Sequence, residues 1–472
     1  MTKKPKQKPF QAPRGTHDIL PPLQPYWDKL RKVSHELSSY YGYGRIATPH
    51  FEDTELFLSA VGETSDIVEK QMYSFRTRGG DSLTLRPEGT ASVARAYIEN
   101  GLVSEPHPVK FWYFGAFFRH ESPQKGRFRE FNQWGLENIG DESVIADVEV
   151  MHVFSVALQE LGIKDFVFHV NSIGCSACRP GYRSLLVQYY RARIKGLCKD
   201  CKERYKTNPL RLLDCKEEKC EIAKKGAPQM IEHLCEACKD HFKLLLEFLD
   251  EDGLPYHLNP HLVRGLDYYT RTVFEIFLDE NVSHSAPPKP TEIAAEIVSP
   301  EINIHDEGVV VEKEKEPEKV SEGIPEKRLL ALGSGGRYDG LVEMIGGRPT
   351  PAVGGALGIE RLVAVLKQRG IRTGSSRQKV FFVQLGDLAK KKSFRIMEEL
   401  RNANIPVGES IGKASVKSQL KLADKNEAQY SLILGQKEAI DGTIIIREMS
   451  SGIQETILRE KMVETLKKKL KR

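Results

Sequence analysis

Two strand-like runs enclose a tract that cannot join a folded core, and this arrangement constrains the chain more than any other feature. The first run begins at Leu262 and reads LVRGLDYYTRTVFEIFL; the second begins at Leu329 and reads LLALGSGGRYDGL. Between them, residues 279–328 hold six prolines and 13 Asp and Glu against 6 Lys and Arg. Such a composition buries too little apolar area to offset the entropy of ordering. We therefore predict a disordered acidic loop, 279–328, inside one β-hairpin.

The length of 472 residues exceeds what one hydrophobic core normally holds, so more than one domain is expected. A helical stretch rich in Lys and Cys interrupts the strand pattern, and after residue 378 strands alternate with helices, which is typical of a small, partly parallel α/β domain. The predicted divisions are a core in two parts, 1–170 and 256–368, an insertion domain, 171–255, a linker, 369–377, and a C-terminal domain, 378–472.

Local patterns add detail to the first part of the core. Apolar residues from Tyr26 to Tyr41 recur at helical spacing behind Pro25, which predicts an amphipathic helix. The segment from Arg45 to Phe51 is predicted to be a strand that ends near Pro49. From Leu83 to about Gly140 the pattern is strand-like, and two β-runs around SPQKGRFRE predict a hairpin with a long basic loop.

The charge is unevenly distributed. Residues 378–472 hold 19 Lys and Arg against 12 Asp and Glu, although the whole chain carries only +5. This surplus indicates either a nucleic-acid partner or a solvated, lysine-rich surface. The N-terminal MTKKPKQKPF has basic residues with no apolar stretch behind them, and no run is long enough to cross a bilayer. We therefore expect a cytoplasmic protein with no membrane partner.

Three arginines stand in apolar contexts. Arg119 follows FWYFGAFF, Arg264 lies in LVRGLDYY, and Arg361 lies in GGALGIERL. A guanidinium among apolar residues is costly to bury unless it meets an anion. Each one alone is equally well explained by a buried ion pair with Asp or Glu. Three in one domain favour a polyphosphate ligand such as ATP, because guanidinium forks match phosphate oxygens.

The basic hairpin loop and two carboxylates extend this candidate site. The loop contains Glu121, Lys125, Arg127, Arg129 and Phe131. It is suited to hold phosphates and stack a purine, or it is a solvated hairpin tip. Glu88 in LRPEGTAS and Glu137 in FNQWGLENIG would find a partner in a cationic substrate such as an amino acid. The glycine-rich segments lack the spacing of a P-loop or a dinucleotide-binding site.

These segments together resemble the class II aminoacyl-tRNA synthetases. RHESPQKGRFREFNQWGLE, from Arg119 to Glu137, and GGALGIERL resemble the second and third motifs of that class. The helix near Tyr26 and the strand ending near Pro49 resemble the first, which forms the dimer interface. LVRGLDYYTRTVFE and GSGGRYDGLVEMIGG resemble two motifs particular to the histidyl-tRNA synthetase family, and RGTHDILPP and TLRPEGTAS fit as well. The similarity runs in order from about Phe10 to the C-terminus, apart from the acidic loop.

The resemblance implies an α+β fold: an antiparallel-sheet catalytic core, a helical insertion domain that clasps the tRNA acceptor arm, and an α/β anticodon-binding domain. It implies ATP-dependent activation of L-histidine to histidyl-adenylate and transfer to the 3′ end of tRNA(His), with Mg²⁺ accompanying ATP, by a homodimer. The implied catalytic residues are Arg264 and Arg119. The implied histidine-binding residues are Glu88, Gly89, Thr90, Arg119, Gln133, Glu137, Arg264, Tyr268, Tyr269 and Tyr338. The implied ATP-binding residues are Arg119, Glu121, Arg127, Arg129, Phe131 and Arg361.

All eight cysteines lie between Cys175 and Cys238. The spacing of Cys175, Cys178, Cys198 and Cys201 is typical of a structural zinc site. The resemblance implies no zinc there, so free buried thiols are favoured over this site and no other protein metal site is predicted. Cys235 and Cys238 form a third pair.

Three other functions compete with this interpretation. Synthetase-like chains also serve as regulatory subunits in histidine biosynthesis or sense uncharged tRNA, but the regulatory type lacks the anticodon domain. A class II enzyme for another amino acid would not explain LVRGLDYY and GGRYDGL. A plain RNA-binding module would explain the basic C-terminal segment and leave the three arginines without a role.

Overall fold

The structure, a computed structural model, describes residues 10–62, 65–121, 127–279, 330–371, 379–410 and 415–470. The predicted acidic loop, Lys125 and most of the predicted linker lie outside the described residues. The chain divides into two compact units, Met1–Arg372 and Thr373–Arg472. The finer boundaries of the insertion domain remain a prediction.

An eight-stranded sheet forms the centre of the first unit, and most of its neighbouring strands are antiparallel. Its strands are β1 (Gly44–Arg45), β5 (Val109–Phe118), β6 (Glu130–Ile139), β7 (Phe166–Ser172), β8 (Tyr256–Leu258), β9 (Thr270–Leu278), β10 (Leu330–Arg337) and β11 (Ala352–Gly358). The order across the sheet is β1-β5-β6-β11-β10-β9-β7-β8. Only the edge pairs β1–β5 and β7–β8 are parallel. A smaller sheet holds β2 (Phe51–Asp53), β3 (Tyr73–Arg76) and β4 (Ser82–Leu85).

Helices cover the large sheet on both faces. The α-helices of the first unit are α1 (Gln24–Tyr40), α2 (Thr54–Val61), α3 (Thr90–Glu99), α4 (Val144–Glu160), α5 (Arg179–Arg191), α6 (Lys199–Thr207), α7 (Glu218–Lys224), α8 (Glu236–Asp252), α9 (Leu341–Met344) and α10 (Ile359–Gln368). One core cluster joins α1, α4, α8 and α10 to the sheet, and a second joins α2, α3 and the insertion domain to it. Helix α4 buries more than half of its circumference because it packs against α1, α8 and the sheet.

The predicted helix near Tyr26 is present as α1, with Pro25 in its first turn and Trp27 buried on its inner face. The predicted strand from Arg45 to Phe51 is wrong in extent, because only Gly44–Arg45 and Phe51–Asp53 are strands. The segment between them is held by a side chain. Arg86 Nη1 donates to the carbonyl oxygen of Thr48 at 2.8 Å, and Pro49 has no N–H for a ladder.

Two other strand predictions extend too far. The strand-like interval from Leu83 to Gly140 includes helix α3, whose first turn is capped by the carboxylate of Glu88. The run that starts at Leu262 becomes a strand only at Thr270. Residues 262–269 form a loop, which leaves Arg264 and the two tyrosines of LVRGLDYY free to adopt non-alternating directions.

The second unit contains a five-stranded sheet with the order β13-β12-β14-β15-β16. Its strands are β12 (Val380–Gln384), β13 (Val407–Glu409), β14 (Tyr430–Leu434), β15 (Thr443–Glu448) and β16 (Gln454–Leu458). Strand β12 pairs in parallel with both β13 and β14, and the last two pairings are antiparallel. Its α-helices are α11 (Asp387–Asn402), α12 (Val416–Lys425), α13 (Gln436–Asp441) and α14 (Met462–Leu470).

Candidate active site

A fully buried carboxylate lies at the centre of the first unit. Glu137, on β6, accepts hydrogen bonds from Thr90 Oγ1 at 2.8 Å, from Tyr338 Oη at 2.6 Å and from Tyr113 Oη at 3.3 Å. No described cation forms an ion pair with it within 4.0 Å. Burial raises the pKa of Glu137 to about 8, although the hydroxyl donors oppose the shift. A carboxylate in this state gains from a cationic or hydrogen-bond-donating ligand.

The space around Glu137 depends on glycines in the paired strands. Glu137 is in register with Gly354 of β11, where an added Cβ would lie 1.8 Å from Glu137 Oε2. Tyr113 is in register with Gly135, where an added Cβ would lie 2.1 Å from the tyrosine Cζ. A side chain at either glycine would displace the buried groups, which explains the glycines in GGALG and QWGLE.

A second buried carboxylate lies beside the first. Glu88 accepts from the backbone N–H groups of Thr90 at 2.7 Å and Ala91 at 2.9 Å, at the start of α3, and from Tyr268 Oη at 3.2 Å. Burial raises the pKa of Glu88, while these donors and the Arg119 guanidinium lower it. The helix N-terminus and the nearby guanidinium thus favour the ionised form.

The rings of Tyr268 and Tyr338 close this pocket. Their centroids are 5.8 Å apart in an edge-on arrangement, and those of Tyr268 and Tyr269 are 4.7 Å apart. All three tyrosines are buried. The result is a buried polar group of two carboxylates and several hydroxyls, called the pocket below, whose polarity suits an amino acid with a polar planar ring.

An arginine-rich cleft of about 240 Å³ lies next to the pocket. Arg119, Arg264 and Arg361 all line it, although they come from a hairpin, a loop and a helix. Arg119 Nε donates to the carbonyl oxygen of Pro87 at 2.8 Å, and Arg361 Nη1 donates to that of Ala331 at 2.6 Å. These carbonyl oxygens fix the guanidinium groups without neutralising them.

Arg264 connects the cleft to the pocket. Its Nη2 donates to Ser334 Oγ, its guanidinium carbon lies 5.6 Å from the ring centre of Tyr269, and Glu275 is its nearest carboxylate at 3.9 Å. Its Nε is buried and has no hydrogen-bond partner among the described residues. Burial and the guanidinium of Arg127 lower the pKa of Arg361. This concentration of positive charge in a partly closed cleft suits a polyphosphate.

The comparison with known proteins identifies the family. The sequence profile of histidyl-tRNA synthetase matches residues 15–284, and that of the anticodon binding domain matches residues 379–469. A histidine–tRNA ligase of Desulfitobacterium hafniense is 40% identical over 463 residues, covering 98% of this chain and 99% of the relative. One from Dehalococcoides mccartyi is 41% identical over 462 residues, covering 98% and 100%. The crystal structure of apo histidyl-tRNA synthetase from S. aureus is 32% identical with a TM-score of 0.72, covering 97% of this chain and 99% of that one.

The chain belongs to the histidyl-tRNA synthetase family.

This membership confirms the predicted fold class of the class II synthetases, with a large antiparallel-rich sheet and a C-terminal anticodon-binding domain. Along the part of the chain that the structure describes, no helix is both long enough and apolar enough to cross a membrane.

The structure brings most of the residues implied by the family together. Glu88, Thr90, Glu137, Tyr268 and Tyr338 share the buried pocket. Arg119, Glu121, Arg127, Phe131, Gln133, Arg264 and Arg361 line the adjacent cleft. The Arg119 guanidinium carbon lies 5.2 Å from the ring centre of Phe131, so this arginine lies over the proposed purine platform.

Two of the implied residues act through packing instead of lining the cleft. Gly89 lies against the ring of Tyr113, where an added Cβ would come within 2.4 Å of Cζ. Arg129 is not among the residues that line the cleft. Its Nε donates to the carbonyl oxygen of Glu121 at 3.4 Å, and its side chain packs against Gly15.

Sequence reasoning missed several polar groups of the site. Tyr113 donates to Glu137, and Ser334 accepts from Arg264. Glu360 accepts from the backbone and side-chain amides of Asn132, and it lines the cleft with Glu275. Tyr113 lies opposite Gly135 in the predicted hairpin, and a tyrosine paired with a glycine in this way indicates that the tyrosine side chain packs over the glycine. The other three have no local signal, because their partners are distant in sequence.

The four cysteines whose spacing suggested a zinc site, which was not favoured over free thiols, do not come together in the structure. Cys175 and Cys178 cluster with Cys235 and Cys238, not with Cys198 and Cys201. Cys198 and Cys201 cluster instead with Cys215 and Cys220. The reason is the path of the chain: Cys175 and Cys178 follow β7, Cys235 and Cys238 lie at the start of α8, and the fold brings these two places together, whereas Cys198 and Cys201 lie at the start of α6.

Proposed function

We propose that this chain activates L-histidine with ATP to give histidyl-adenylate and transfers the histidyl group to the 3′ end of tRNA(His). One observation carries the proposal: three guanidinium groups without full ionic partners converge in a cleft that adjoins a buried two-carboxylate pocket. The names of the relatives, histidine–tRNA ligase, agree with it.

The buried pocket accounts for histidine recognition. Glu88 and Thr90 would receive the α-ammonium, since a carboxylate can accept about four hydrogen bonds and Glu88 uses three in the structure. Glu137 uses three as well and retains capacity for an imidazole N–H. An amino acid that left these buried groups unpaired would be rejected by a factor of up to about 10⁴. Tyr269 and Gln133 complete the proposed boundary of the pocket.

The arginine cleft accounts for activation. A carboxylate oxygen of histidine attacks the α-phosphorus, a new P–O bond forms, and the bond to the bridging oxygen breaks as pyrophosphate leaves. Two anions must meet, and negative charge grows on the α-phosphate oxygens. Arg119 and Arg264 are the proposed catalytic residues, since fixed guanidinium groups aimed at these oxygens stabilise that charge without reorganising.

The remaining cleft residues would bind the rest of ATP. Phe131 would stack on the adenine, and Arg127 and Arg361 would hold the β- and γ-phosphates. Glu121 and Glu275 both place carboxylate oxygens on the cleft, and oxygen is the donor that Mg²⁺ prefers. When bound with ATP, Mg²⁺ would supply further neutralisation of the phosphate charge.

In the second step a ribose hydroxyl at the tRNA terminus attacks the activated carbonyl, and AMP leaves. The C-terminal unit would bind the anticodon, and the net charge of +7 on residues 378–472 supports contacts with the RNA backbone. The insertion domain would contact the acceptor arm. We further propose that the enzyme works in the cytoplasm as a homodimer through α1 and the segment ending near Pro49, where Tyr40 and Phe51 expose large apolar side chains.

The decisive experiment is the amino-acid-dependent exchange of labelled pyrophosphate into ATP, measured with each amino acid in turn. We expect exchange with L-histidine alone, because only histidine pairs every buried group of the pocket. Charging of tRNA(His) transcripts tests the second step separately. Exchange driven by threonine or proline, or exchange with none of the amino acids, would refute the proposal.

A further inference from the structure

The eight cysteines form two compact groups of four in the insertion domain. In each group, the four Sγ atoms lie within 4.8 Å of one another. We call Cys175, Cys178, Cys235 and Cys238 the outer tetrad, and Cys198, Cys201, Cys215 and Cys220 the inner tetrad. Neither group belongs to the arginine cleft or to the histidine pocket.

We propose that each tetrad binds one structural zinc ion through four thiolates, so that the insertion domain is a two-zinc module.

The sulfur spacing supports tetrahedral coordination. Zinc binds thiolate at about 2.3 Å, and a tetrahedron of that size sets its sulfurs about 3.8 Å apart. In the outer tetrad, Cys175 Sγ lies 3.8 Å from Cys178 Sγ and 3.7 Å from Cys235 Sγ, and Cys178 Sγ lies 4.0 Å from Cys238 Sγ. In the inner tetrad, the Sγ atoms of Cys198 and Cys215 are 3.9 Å apart.

The same distances argue against disulfides. A disulfide bond is about 2.05 Å long, and it joins cysteines in twos. Each tetrad instead brings four sulfurs within 4.8 Å of one another, and the neighbouring sulfurs named above are all 3.7–4.0 Å apart. Free thiols that packed only as small apolar groups would not be expected to gather into two groups of four.

The backbone around both tetrads stabilises thiolates. The N–H of Cys175 points to Cys178 Sγ at 3.2 Å, and the N–H of Cys201 points to Cys198 Sγ at 3.3 Å. The N–H of Cys198 points to Cys220 Sγ at 3.3 Å. Donors of this kind orient metal ligands and offset their negative charge.

A glycine leaves room for the outer tetrad. Gly174 has a φ of +66°, and an added Cβ there would lie 2.6 Å from Cys178 Sγ. Its carbonyl oxygen accepts from the N–H of Arg271 at 2.9 Å and from the side chain of Arg179, which also donates to the carbonyl oxygen of Tyr269. The outer tetrad therefore ties the insertion domain to the backbone beside the histidine pocket.

The position of the tetrads explains why a metal is needed. Between the two cysteine pairs of the outer tetrad, helices α5, α6 and α7 are only 13, 9 and 7 residues long, and the large buried apolar side chains are Tyr182, Leu186, Tyr190, Leu197, Leu212, Leu213 and Met230. Short segments of this kind are commonly stabilised by a metal or by disulfides. The outer tetrad joins the segment after β7 to the start of α8, and the inner tetrad fastens α6 to the loop before α7 and to α7 itself.

Zinc is the metal that fits best. A tetrahedral set of four thiolates selects zinc or iron among the common metals. The proposed reaction transfers no electrons, so a redox-inactive ion is sufficient.

Metal analysis of the full-length chain, expressed without a histidine tag and purified without chelators, tests the proposal. We expect two zinc atoms per chain and no iron. Few thiols of the native protein should react with a thiol reagent, and all eight should react after the protein is unfolded in the presence of a chelator. The double variant Cys198→Ser/Cys201→Ser should retain one zinc, as should Cys175→Ser/Cys178→Ser. The matched control Ser176→Ala, between two ligands of the outer tetrad, should retain two.

Four results would overturn the proposal. They are zinc below about 0.2 per chain with eight reactive thiols in the native protein, a mass that shows disulfides, iron in place of zinc, or a single zinc in the unmodified chain. All four results are measured on the unmodified chain, so the conclusion does not depend on whether the serine variants fold. Cobalt substitution adds a check, since tetrahedral cobalt thiolates absorb strongly in the visible range.

Discussion

Arg337 is fully buried and the cleft arginines are partly buried, but the more important difference is in their surroundings. Arg337 is fully buried, its Nε lies 2.7 Å from Asp147 Oδ1, and its Nη1 lies 3.1 Å from Asp339 Oδ1. Its Nη2 donates to two further carbonyl oxygens. Arg119 and Arg361 form no ion pair within 4.0 Å with any residue that the structure describes, and each is held by a backbone carbonyl oxygen.

The difference separates structural from functional charge. An arginine whose charge is already matched by carboxylates maintains the fold and has little attraction left for a ligand. One that is oriented by neutral acceptors keeps its full charge for an incoming anion. The same contrast applies to the acids: Asp147 meets both Arg337 and His241, whereas Glu137 meets only hydroxyls.

The largest effect is expected at the structural arginine. Arg337→Met should lower the free energy of unfolding by about 3–5 kcal/mol, because Asp147 would remain buried without its guanidinium partner. Chemical denaturation, followed through the unfolding transition of the first unit, measures this change in free energy. The double variant Arg337→Met/Asp147→Asn should recover part of the loss. A single variant as stable as the parent chain would show that the ion pair is not what maintains the core.

A slightly smaller effect, confined to activity, is expected in the cleft. Arg264→His should slow histidine-dependent pyrophosphate exchange by about 10²–10³-fold, the usual consequence of removing one fixed donor from a developing anion. The melting temperature should stay close to that of the parent chain, because the nearest carboxylate to the Arg264 side chain, that of Glu275, is a distant 3.9 Å away. The exposed Arg78 provides the control Arg78→His, with normal exchange. Near-normal exchange by Arg264→His would remove this residue from the mechanism.

The smallest effect is a change in pH dependence. The pKa of Glu137 is raised to about 8 by burial, above the 4.5 of an exposed glutamate, so folding takes up a proton between these values. Its contribution to stability is complete below pH 4.5 and is lost as pH rises to about 8, with a slope of at most about 1.4 kcal/mol per pH unit.

Glu137→Gln should therefore flatten the fall in stability over that pH window, as followed by denaturation of the ligand-free protein. Glu142→Gln, at an exposed position just beyond the same strand, should leave the slope unchanged. Equal slopes for the parent chain and Glu137→Gln would mean that folding does not raise the pKa of this acid.

The sequence alone determined the elements whose signals are local. The period of α1, the hairpin of β5 and β6, and the alternating strands and helices of the second unit follow from apolar spacing and turn residues, which do not depend on distant contacts. Motif order was enough to predict the family and the arginines of the site. The strand predicted near Pro49 failed because a distant side chain, Arg86, takes the backbone hydrogen bonds there.

Only the tertiary structure decided which of these residues meet. Arg337 and Arg264 look alike in sequence, since each is adjacent to a glycine in a motif that also contains tyrosine, yet one faces Asp147 and the other faces a cleft. The cysteine groups were likewise fixed by the chain path, which brings Cys175 to Cys235 across the base of the insertion. Charge matching and metal coordination depend on distances of a few ångströms between remote residues, and spacing along a chain does not encode those distances.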